Sequence, residues 1–175
     1  MIILLTGGSA CGKSTYGEAL AIKYPLPRYY IAAMEPYGEE SRLRIARHRE
    51  MRREKGFTTI ERYIDLAHLE LPQKGGVALL ECLCNLTANE MFRPDGAGAD
   101  TIKAVLDGIE NLAVQCAVLI VITNDVGSGG DDGFDESTLE YIRTLGEINR
   151  LAAAHADSVA ELVCGIPLML KGERL

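Results

Sequence analysis

The stretch from Gly7 to Thr15, GGSACGKST, constrains the fold more than any other part of the chain. It contains the spacing G-x-x-x-x-G-K-S, follows an apolar run at 2–6 and opens a helix-like segment at 13–23. That motif works only between a strand and a helix. Its glycines let the backbone turn so that N–H groups point inward, where they and the helix N-terminus attract an anion. The stretch therefore predicts a strand, a phosphate-binding loop and a helix.

The phosphate loop also suggests roles for its side chains. Lys13 is expected to reach the β and γ phosphates of a nucleotide, and the Ser14 hydroxyl is expected to take one Mg²⁺ position. The alternative is a glycine-rich turn with an incidental lysine. The motif alone does not separate a kinase from a GTPase, an ATPase or a nucleotidyl transferase. The residues predicted to bind nucleotide here are Gly7, Gly8, Ser9, Ala10, Cys11, Gly12, Lys13 and Ser14.

The rest of the chain alternates between strand-like and helix-like segments. Apolar or β-branched runs predict strands at 2–6, 28–33, 77–83, 117–123 and 159–164. The segments between them predict helices at 13–23, 39–55, 64–69, 86–92, 101–115 and 136–156. This alternation is typical of a doubly wound α/β fold, here of the P-loop NTPase type, with a mostly parallel sheet flanked by helices and ligands at the carboxyl ends of the strands. A length of 175 residues predicts a single domain over 1–175.

Composition excludes several classes of protein. The net charge of −7 argues against broad binding to nucleic acid or anionic membranes. Five cysteines without a C-x-x-C pair suggest neither a zinc ribbon nor a disulfide framework. No signal peptide pattern and no apolar run long enough for a membrane span is present, so we expect a soluble, cytoplasmic protein.

A basic segment stands out in this acidic chain. Residues 42–55 include seven basic and two acidic side chains. In a helix, Arg44, His48 and Arg52 follow each other at i, i+4 and share a face, which places an imidazole between two guanidiniums. Nearby positive charge keeps such an imidazole neutral, and a neutral imidazole is a nucleophile. The alternative is a solvated helix face whose histidine has no function.

At this point the sequence resembles a known family, that of adenosylcobinamide kinase/adenosylcobinamide-phosphate guanylyltransferase. The resemblance runs nearly end to end and depends on the order and spacing of several blocks. These are GGSACGKS at Gly7, YIAAM at Tyr30, RIARHREMR at Arg44, TTIE at Thr58, LLECL at Leu79, TNDVG at Thr123, GEINRLAAAHAD at Gly146 and GIP at Gly165.

The resemblance implies two reactions. The enzymes of the family phosphorylate adenosylcobinamide with a nucleoside triphosphate, ATP or GTP. A histidine, His48 here, then attacks the α-phosphate of GTP and expels pyrophosphate. It passes GMP to adenosylcobinamide phosphate, which gives adenosylcobinamide-GDP. The resemblance also implies a homo-oligomer, a trimer, and Mg²⁺ as cofactor. The further nucleotide contacts that it implies are Ala32, Ala33, Met34, Arg49, Arg52, Glu61 and Glu81.

Some positions leave alternatives open. Glu81, at the end of an apolar strand, would suit Mg²⁺ or a hydrogen bond to a base, or could cap the next helix. Asp131, Asp132 and Asp135 form either a metal site or a solvated acidic loop, and they lack the alternating ligands of a calcium loop. Two rival functions also remain: another small-molecule P-loop kinase with an idle His48, and a regulatory module that binds a triphosphate without catalysis.

Overall fold

A seven-stranded sheet carries the helices of the protein. The computed structural model describes residues 1–126 and 133–173, apart from the side chains of Glu40, Ser41, Arg44, His48 and Met51. The strands are β1 (Ile2–Thr6), β2 (Arg28–Ala32), β3 (Thr58–Glu61), β4 (Val77–Glu81), β5 (Val118–Ile122), β6 (Ser158–Val163) and β7 (Ile166–Lys171). The α-helices are α1 (Lys13–Ile22), α2 (Gly38–Arg52), α3 (Leu83–Phe92), α4 (Thr101–Gln115) and α5 (Glu136–His155).

The strand order across the sheet is β3-β2-β4-β5-β1-β6-β7. All neighbouring pairs are parallel except β6 and β7, which form an antiparallel hairpin at one edge. The first strand lies inside the sheet, with Ile3 opposite Ile120 of β5 and Ser158 of β6. The doubly wound, mostly parallel architecture is therefore confirmed. Because these strands are parallel, the carboxyl ends of β1, β2, β4 and β5 lie at the same end of the sheet.

The core lies on both sides of the central strands. The side chains of β4 up to Leu80 and all of β5 are buried, as a nearly continuous apolar sequence predicts for strands covered by helices. The α1 helix packs against β1, β4 and β5. This approach is close because Gly17 has no side chain: a Cβ there would lie 3.2 Å from methyl groups of Ile122 and Leu79. No helix among the described residues is both long and apolar enough to cross a membrane.

The sequence analysis did not predict two of the strands, β3 and β7. The third strand is four residues long and mostly exposed, so it lacks an apolar run to mark it. The seventh is an edge strand that contains Pro167, and proline is normally a signal against a strand. An antiparallel edge tolerates it because one side of the strand needs no ladder partner.

Several predicted boundaries were wrong. The helix expected at 64–69 is only a 3₁₀ turn, Leu66–His68, held by the end of α4: Asn111 donates to the carbonyls of Leu66 and Leu69 at 2.8 Å. The helix expected at 86–92 already begins at Leu83, because the strand ends at Glu81 and the apolar residues from Leu83 onward belong to the helix. The helix expected at 39–55 ends at Arg52.

Candidate functional site

The phosphate loop joins β1 to α1 in a shape that demands glycine. Gly7 has a φ of 135°, and a Cβ there would lie 2.6 Å from the carbonyl oxygen of Leu162. Gly12 has a φ of 99° and lies against the turn between β6 and β7. The N–H of Gly165 in that turn donates to the carbonyl of Cys11 at 2.8 Å. The hairpin therefore braces the loop at the N-terminus of α1, where an anion is favoured.

The lysine of the loop is buried and points back into the loop. Lys13 is 6 % exposed. Its Nζ donates to the carbonyls of Gly7 at 2.9 Å and Gly8 at 2.6 Å, and it lies 3.6 Å from the Cys11 sulfur. Backbone carbonyls thus hold an ammonium at the position where a phosphate would need a positive charge.

A carboxylate from the neighbouring strand faces the loop. Ser14 Oγ donates to Glu81 Oε1 at 2.5 Å, and the hydroxyl of Tyr30 donates to Glu81 Oε2 at 2.8 Å. Burial, and next the charge of Glu81, raise the pKa of Tyr30 far above its ordinary value, so this phenol remains a donor. Glu81 therefore lies in the site, where its oxygen and that of Ser14 form a donor set suited to Mg²⁺.

Two oxygen donors match the way in which Mg²⁺ is usually bound. No group of three His, Cys, Asp or Glu side chains within the described chain is placed to hold a metal ion by itself. Mg²⁺ commonly takes one or two protein oxygens and completes its shell with substrate phosphates and waters. The pair formed by Ser14 and Glu81 next to the phosphate loop fits that arrangement.

One cavity lies over the phosphate loop, and α2 forms part of its wall. Its volume is about 510 Å³. The cavity is lined by the loop, the start of α1, α2 and the segments at the ends of β4 and β5, namely Ser9, Ala10, Cys11, Gly12, Lys13, Ser14, Thr15, Leu43, Arg47, Glu81, Cys82, Ile122 and Asn124. Arg47 adds a second positively charged side chain to the lining, from α2. We refer to this space as the loop cavity.

A second cavity lies under α2, between that helix and the ends of β2, β3 and β4. Its volume is about 250 Å³, and we call it the helix cavity. Its walls carry charged, tyrosine and apolar side chains: Tyr30, Ala32, Met34, Pro36, Arg42, Ile45, Ala46, Arg49, Arg52, Thr59, Glu61, Tyr63, Glu81, Cys82 and Asn85. Glu81 and Cys82 line both cavities, so the two spaces meet at the end of β4.

Arg52 is the most unusual side chain of the helix cavity. It is 5 % exposed, and its guanidinium carbon lies 3.3 Å from the centroid of the Tyr30 ring. Among the described residues its Nε and Nη1 atoms are buried without a hydrogen-bond partner. A buried charge that lacks partners is costly, so this arginine is prepared for an anion or a carbonyl oxygen of a ligand.

An ion pair closes the outer wall of the helix cavity. Arg49 Nη2 pairs with Glu61 Oε1, and the Tyr63 hydroxyl donates to Glu61 Oε2 at 3.0 Å. Partial burial and the bond to Glu61 raise the pKa of Tyr63. Both members of the ion pair are about half exposed, so a ligand can exchange partners with them at little cost.

The structure brings most of the predicted residues together. The loop residues from Ser9 onward line one cavity, whereas Ala32, Met34, Arg49, Arg52 and Glu61 line the other. Gly7 and Gly8 do not line either cavity, but their backbone carbonyls accept hydrogen bonds from Lys13 and so fix its position. Ala33 is a buried support that lines neither cavity; its N–H donates to the carbonyl of Glu81 at 3.0 Å.

Two predictions fall partly outside the described residues. His48 belongs to α2 by its backbone, but its side chain lies outside the described part. Asp131 and Asp132 also lie outside it. Asp135 is the N-cap of α5, and its carboxylate accepts from the N–H of Thr138 at 2.7 Å. That aspartate therefore has a structural role at a helix start.

Sequence reasoning assigned no role to Tyr30, Tyr63, Arg47 or Cys82. Tyr30 looked like an ordinary residue of a predicted strand, and only the alignment of β2 with β4 places it beside Glu81. Tyr63 lay outside every predicted strand and helix. Arg47 was one of seven basic residues in a segment whose charge count does not show which residues face the site. A helical wheel separates the side of Leu43 and Arg47 from that of Arg42, Ala46 and Arg49, and is the signal that could have distinguished them.

Comparisons with known proteins agree with this geometry. The family model described as "Cobinamide kinase / cobinamide phosphate guanyltransferase" matches residues 3–170. The bifunctional adenosylcobalamin biosynthesis protein CobU of Escherichia coli is 32 % identical over 187 residues, covering 98 % of this chain and all of that protein. The bifunctional adenosylcobalamin biosynthesis protein CobP of Pseudomonas aeruginosa is 30 % identical over 174 residues, covering 98 % of each chain.

Solved structures support the fold alone. A protein of Pyrococcus horikoshii, PH0250, aligns with a TM-score of 0.58 at 12 % identity, over 99 % of this chain and 87 % of its own. A KaiC-like protein of the same organism, PH0186, aligns with a TM-score of 0.50 at 14 % identity, over 91 % of this chain and 71 % of its own. With the fold thus that of a P-loop NTPase, and with relatives matched over nearly their full length, the chain belongs to the cobinamide kinase / cobinamide phosphate guanyltransferase family.

Proposed function

We propose that this protein catalyses both reactions for which its family is named. It phosphorylates adenosylcobinamide with ATP or GTP, and then transfers GMP from GTP to adenosylcobinamide phosphate, giving adenosylcobinamide-GDP. The observation that carries the proposal is the meeting of two cavities at Glu81, one built on a phosphate loop and the other on the arginines of α2. The two adjoining cavities provide room for a triphosphate and for a second group beside it.

In the first reaction the loop cavity holds the triphosphate. The hydroxyl of adenosylcobinamide attacks the γ-phosphorus, the bond to the β-phosphate oxygen breaks, and a nucleoside diphosphate and a proton leave. Lys13 and the N-terminus of α1 neutralise the charge on the phosphates. Bound Mg²⁺, held by Ser14 and Glu81, would add neutralisation of the same charge. Arg47, which also lines the loop cavity, adds a further positive charge.

In the second reaction the nucleophile is His48. Its imidazole nitrogen attacks the α-phosphorus of GTP, a P–N bond forms, and the electron pair of the breaking P–O bond leaves with pyrophosphate. An oxygen of adenosylcobinamide phosphate then attacks the same phosphorus, and the imidazole recovers its electron pair. The position of His48 on α2, the helix that borders both cavities, supports this role. Arginines on that helix suit a phosphorus that carries negative oxygens.

The helix cavity is the proposed site of the guanine base. Its apolar walls suit an aromatic ring. Arg52 offers two unpartnered donors, and Glu61 offers an acceptor near Arg49, which match the O6 and N7 acceptors and the N1 and N2 donors of guanine. Ala32, Ala33 and Met34 shape or support the wall below.

We also propose that the protein is cytoplasmic. Its cysteines are free thiols, which supports a location in a reducing compartment.

We further propose that the protein is a homo-oligomer, namely a trimer. Edge strand β7 supports it because Ile166, Leu168 and Leu170 expose about half or more of their side chains along one face. Sedimentation should report a trimer for the native chain and a smaller species for Leu168→Asp. A native monomer would contradict the proposal.

The test of function is a product assay. Purified protein receives adenosylcobinamide, Mg²⁺ and GTP, and the products are identified by mass. Adenosylcobinamide phosphate and adenosylcobinamide-GDP are both expected, and His48→Ala should stop at the first. Accumulation of the phosphate alone by the native protein would favour another P-loop kinase, and tight GTP binding without any product would favour a regulatory module.

A further inference from the structure

We propose that Tyr30 is a positioning residue that connects the metal-binding side of the site to the arginine of the helix cavity. Its hydroxyl fixes the carboxylate of Glu81 toward Ser14, and its ring seats the guanidinium of Arg52. The inference builds on the proposed function, but it concerns a residue to which neither the motif nor the basic segment assigns a role.

The hydroxyl acts on Glu81. Tyr30 is 4 % exposed, and its hydroxyl donates to Glu81 Oε2 at 2.8 Å while Ser14 donates to Oε1 at 2.5 Å. Two donors on the two oxygens hold the carboxylate in one orientation. Without the phenol, Oε2 would lose this donor, while the bond from Ser14 to Oε1 must change when Ser14 binds a metal. The hydroxyl of Tyr30 can keep its bond to Oε2 and so supports Glu81 in the loaded site.

Such support has a measurable effect in metal sites. Removing a hydrogen-bond partner of a metal ligand typically lowers metal affinity or activity by about 10- to 100-fold. The proposal therefore predicts a defect in metal affinity when the phenol hydroxyl of Tyr30 is removed.

The ring acts on Arg52. The guanidinium carbon lies 3.3 Å from the ring centroid of Tyr30, and the edge contact of Phe57, at 6.1 Å between centroids, holds the ring from another side. A cation over an aromatic face is attracted without using its N–H groups. The donors Nε and Nη1 consequently stay available for a ligand in the helix cavity.

The neighbouring residue provides a matched control. Tyr29 lies on the same strand and is 3 % exposed, but its hydroxyl donates to the carbonyl of Gln73 at 3.1 Å and accepts from the N–H of Gln73 at 2.9 Å. Tyr29→Phe removes a buried phenol hydroxyl of the same kind, away from both cavities. Any general effect of losing such a hydroxyl should appear in both variants.

The experiment measures binding of Mn²⁺, a paramagnetic substitute for Mg²⁺, by electron paramagnetic resonance. The protein is saturated with guanosine 5′-[α,β-methylene]triphosphate, whose α–β linkage cannot be cleaved. Tyr30→Phe should raise the dissociation constant of Mn²⁺ about 10- to 100-fold, while nucleotide binding without metal stays within about threefold of the native value. Tyr29→Phe should leave both constants unchanged. Tyr30→Leu, which also removes the ring, should in addition weaken nucleotide binding without metal.

Three results would overturn the proposal: native metal affinity in Tyr30→Phe, an equal loss in Tyr29→Phe, or no detectable Mn²⁺ binding by the native protein with the nucleotide. A separate outcome concerns the proposed function. If the metal affinity falls as expected but the native protein makes neither product, the positioning role stands and the proposed reactions fail.

Discussion

The two cavities of the site are built in different ways. The phosphate-binding part of the loop cavity is formed by one continuous segment, in which glycines and carbonyls place Lys13 and the start of α1. The helix cavity is assembled from side chains of β2, β3, β4 and α2 that are far apart in sequence. The loop cavity forms when certain residue types follow each other at a fixed spacing. The helix cavity forms only when β2, β3 and β4 pair in the correct register. This difference predicts that changes in the first cavity stop both reactions, whereas changes in the second affect mainly guanylyl transfer.

The largest effect is expected at Lys13. Lys13→Met removes the ammonium that both reactions need near the phosphates, so both rates should fall roughly 10³-fold. Lys23→Met, at the exposed end of α1, is the control and should behave as the native protein. The measurement is the initial rate of each product. A variant that retained the first reaction within tenfold would show that the two reactions do not share the loop.

Arg52 should separate the two cavities. Arg52→Met removes the buried guanidinium from the helix cavity, so guanylyl transfer should fall about 100-fold while phosphorylation from ATP changes less than threefold. Arg53→Met is the matched control, because the neighbouring arginine is 76 % exposed. Rates of the two half-reactions, measured separately with adenosylcobinamide and its phosphate, decide the question. Equal losses in both would mean that the helix cavity serves both reactions.

An ion pair joins α1 to the segment that follows α2, and stability measurements can test its contribution. Glu18 of α1 is fully buried, and its Oε2 accepts from Lys55 Nζ at 2.5 Å, just beyond the end of α2. Lys55→Met leaves that carboxylate without its cation. Because Lys55 is 28 % exposed, we expect a loss of about 2 kcal/mol in the free energy of unfolding, less than for a fully buried pair.

Denaturant unfolding measures this loss. The control is Lys103→Met, which breaks a pair on the surface of α4 and should change stability by less than about 0.5 kcal/mol. Equal effects of the two substitutions would show that the pair at Glu18 does not stabilise the packing of α1 near the end of α2.

A further prediction concerns the end of β4, where Cys82 lines both cavities. The neighbouring Cys82 thiol, helped by Asn124 and opposed by burial, lowers the pKa of Cys84 to about 6. The unfolded chain keeps an ordinary thiol pKa near 9. Between those values the unfolded chain holds the extra proton, so the contribution of Cys84 to stability rises with pH and is lost as pH falls through 6.

Thiolate absorbance near 240 nm checks this directly. The native protein should show a thiolate that titrates near pH 6, and Cys84→Ser should lose it, whereas Cys164→Ser, at the exposed hairpin turn, should keep it. A first thiolate that appears only near pH 9 would contradict the assignment.

The sequence predicted the loop cavity well because its information is local. The spacing from Gly7 to Ser14 contains the strand end, the turn and the helix start together. The apolar runs also identified every strand that has buried faces. What they could not identify was β3, which is short and exposed, although this strand carries Glu61 into the helix cavity.

The contacts between side chains of the helix cavity could not be predicted from the sequence, because they depend on how distant segments pack together. Glu81 was selected as a metal or base ligand, but Tyr30 meets it only through the register of β2 with β4. Arg52 was selected from its helical spacing to His48, yet its burial against an aromatic ring depends on the angle at which α2 crosses the sheet. The resemblance to a family identified Glu81 and Arg52 as site residues, but only the structure showed which side chains contact them.

The most direct test of the account is covalent labelling of the protein by GTP labelled with ³²P at the α-phosphate. The chain has three histidines, so His68→Asn and His155→Asn are matched controls for His48→Asn. The account predicts one acid-labile label per chain in the native protein and in both controls, its release as adenosylcobinamide-GDP on addition of adenosylcobinamide phosphate, and no label in His48→Asn. Label that persists in His48→Asn, or a native protein that forms the product without ever carrying the label, would contradict it.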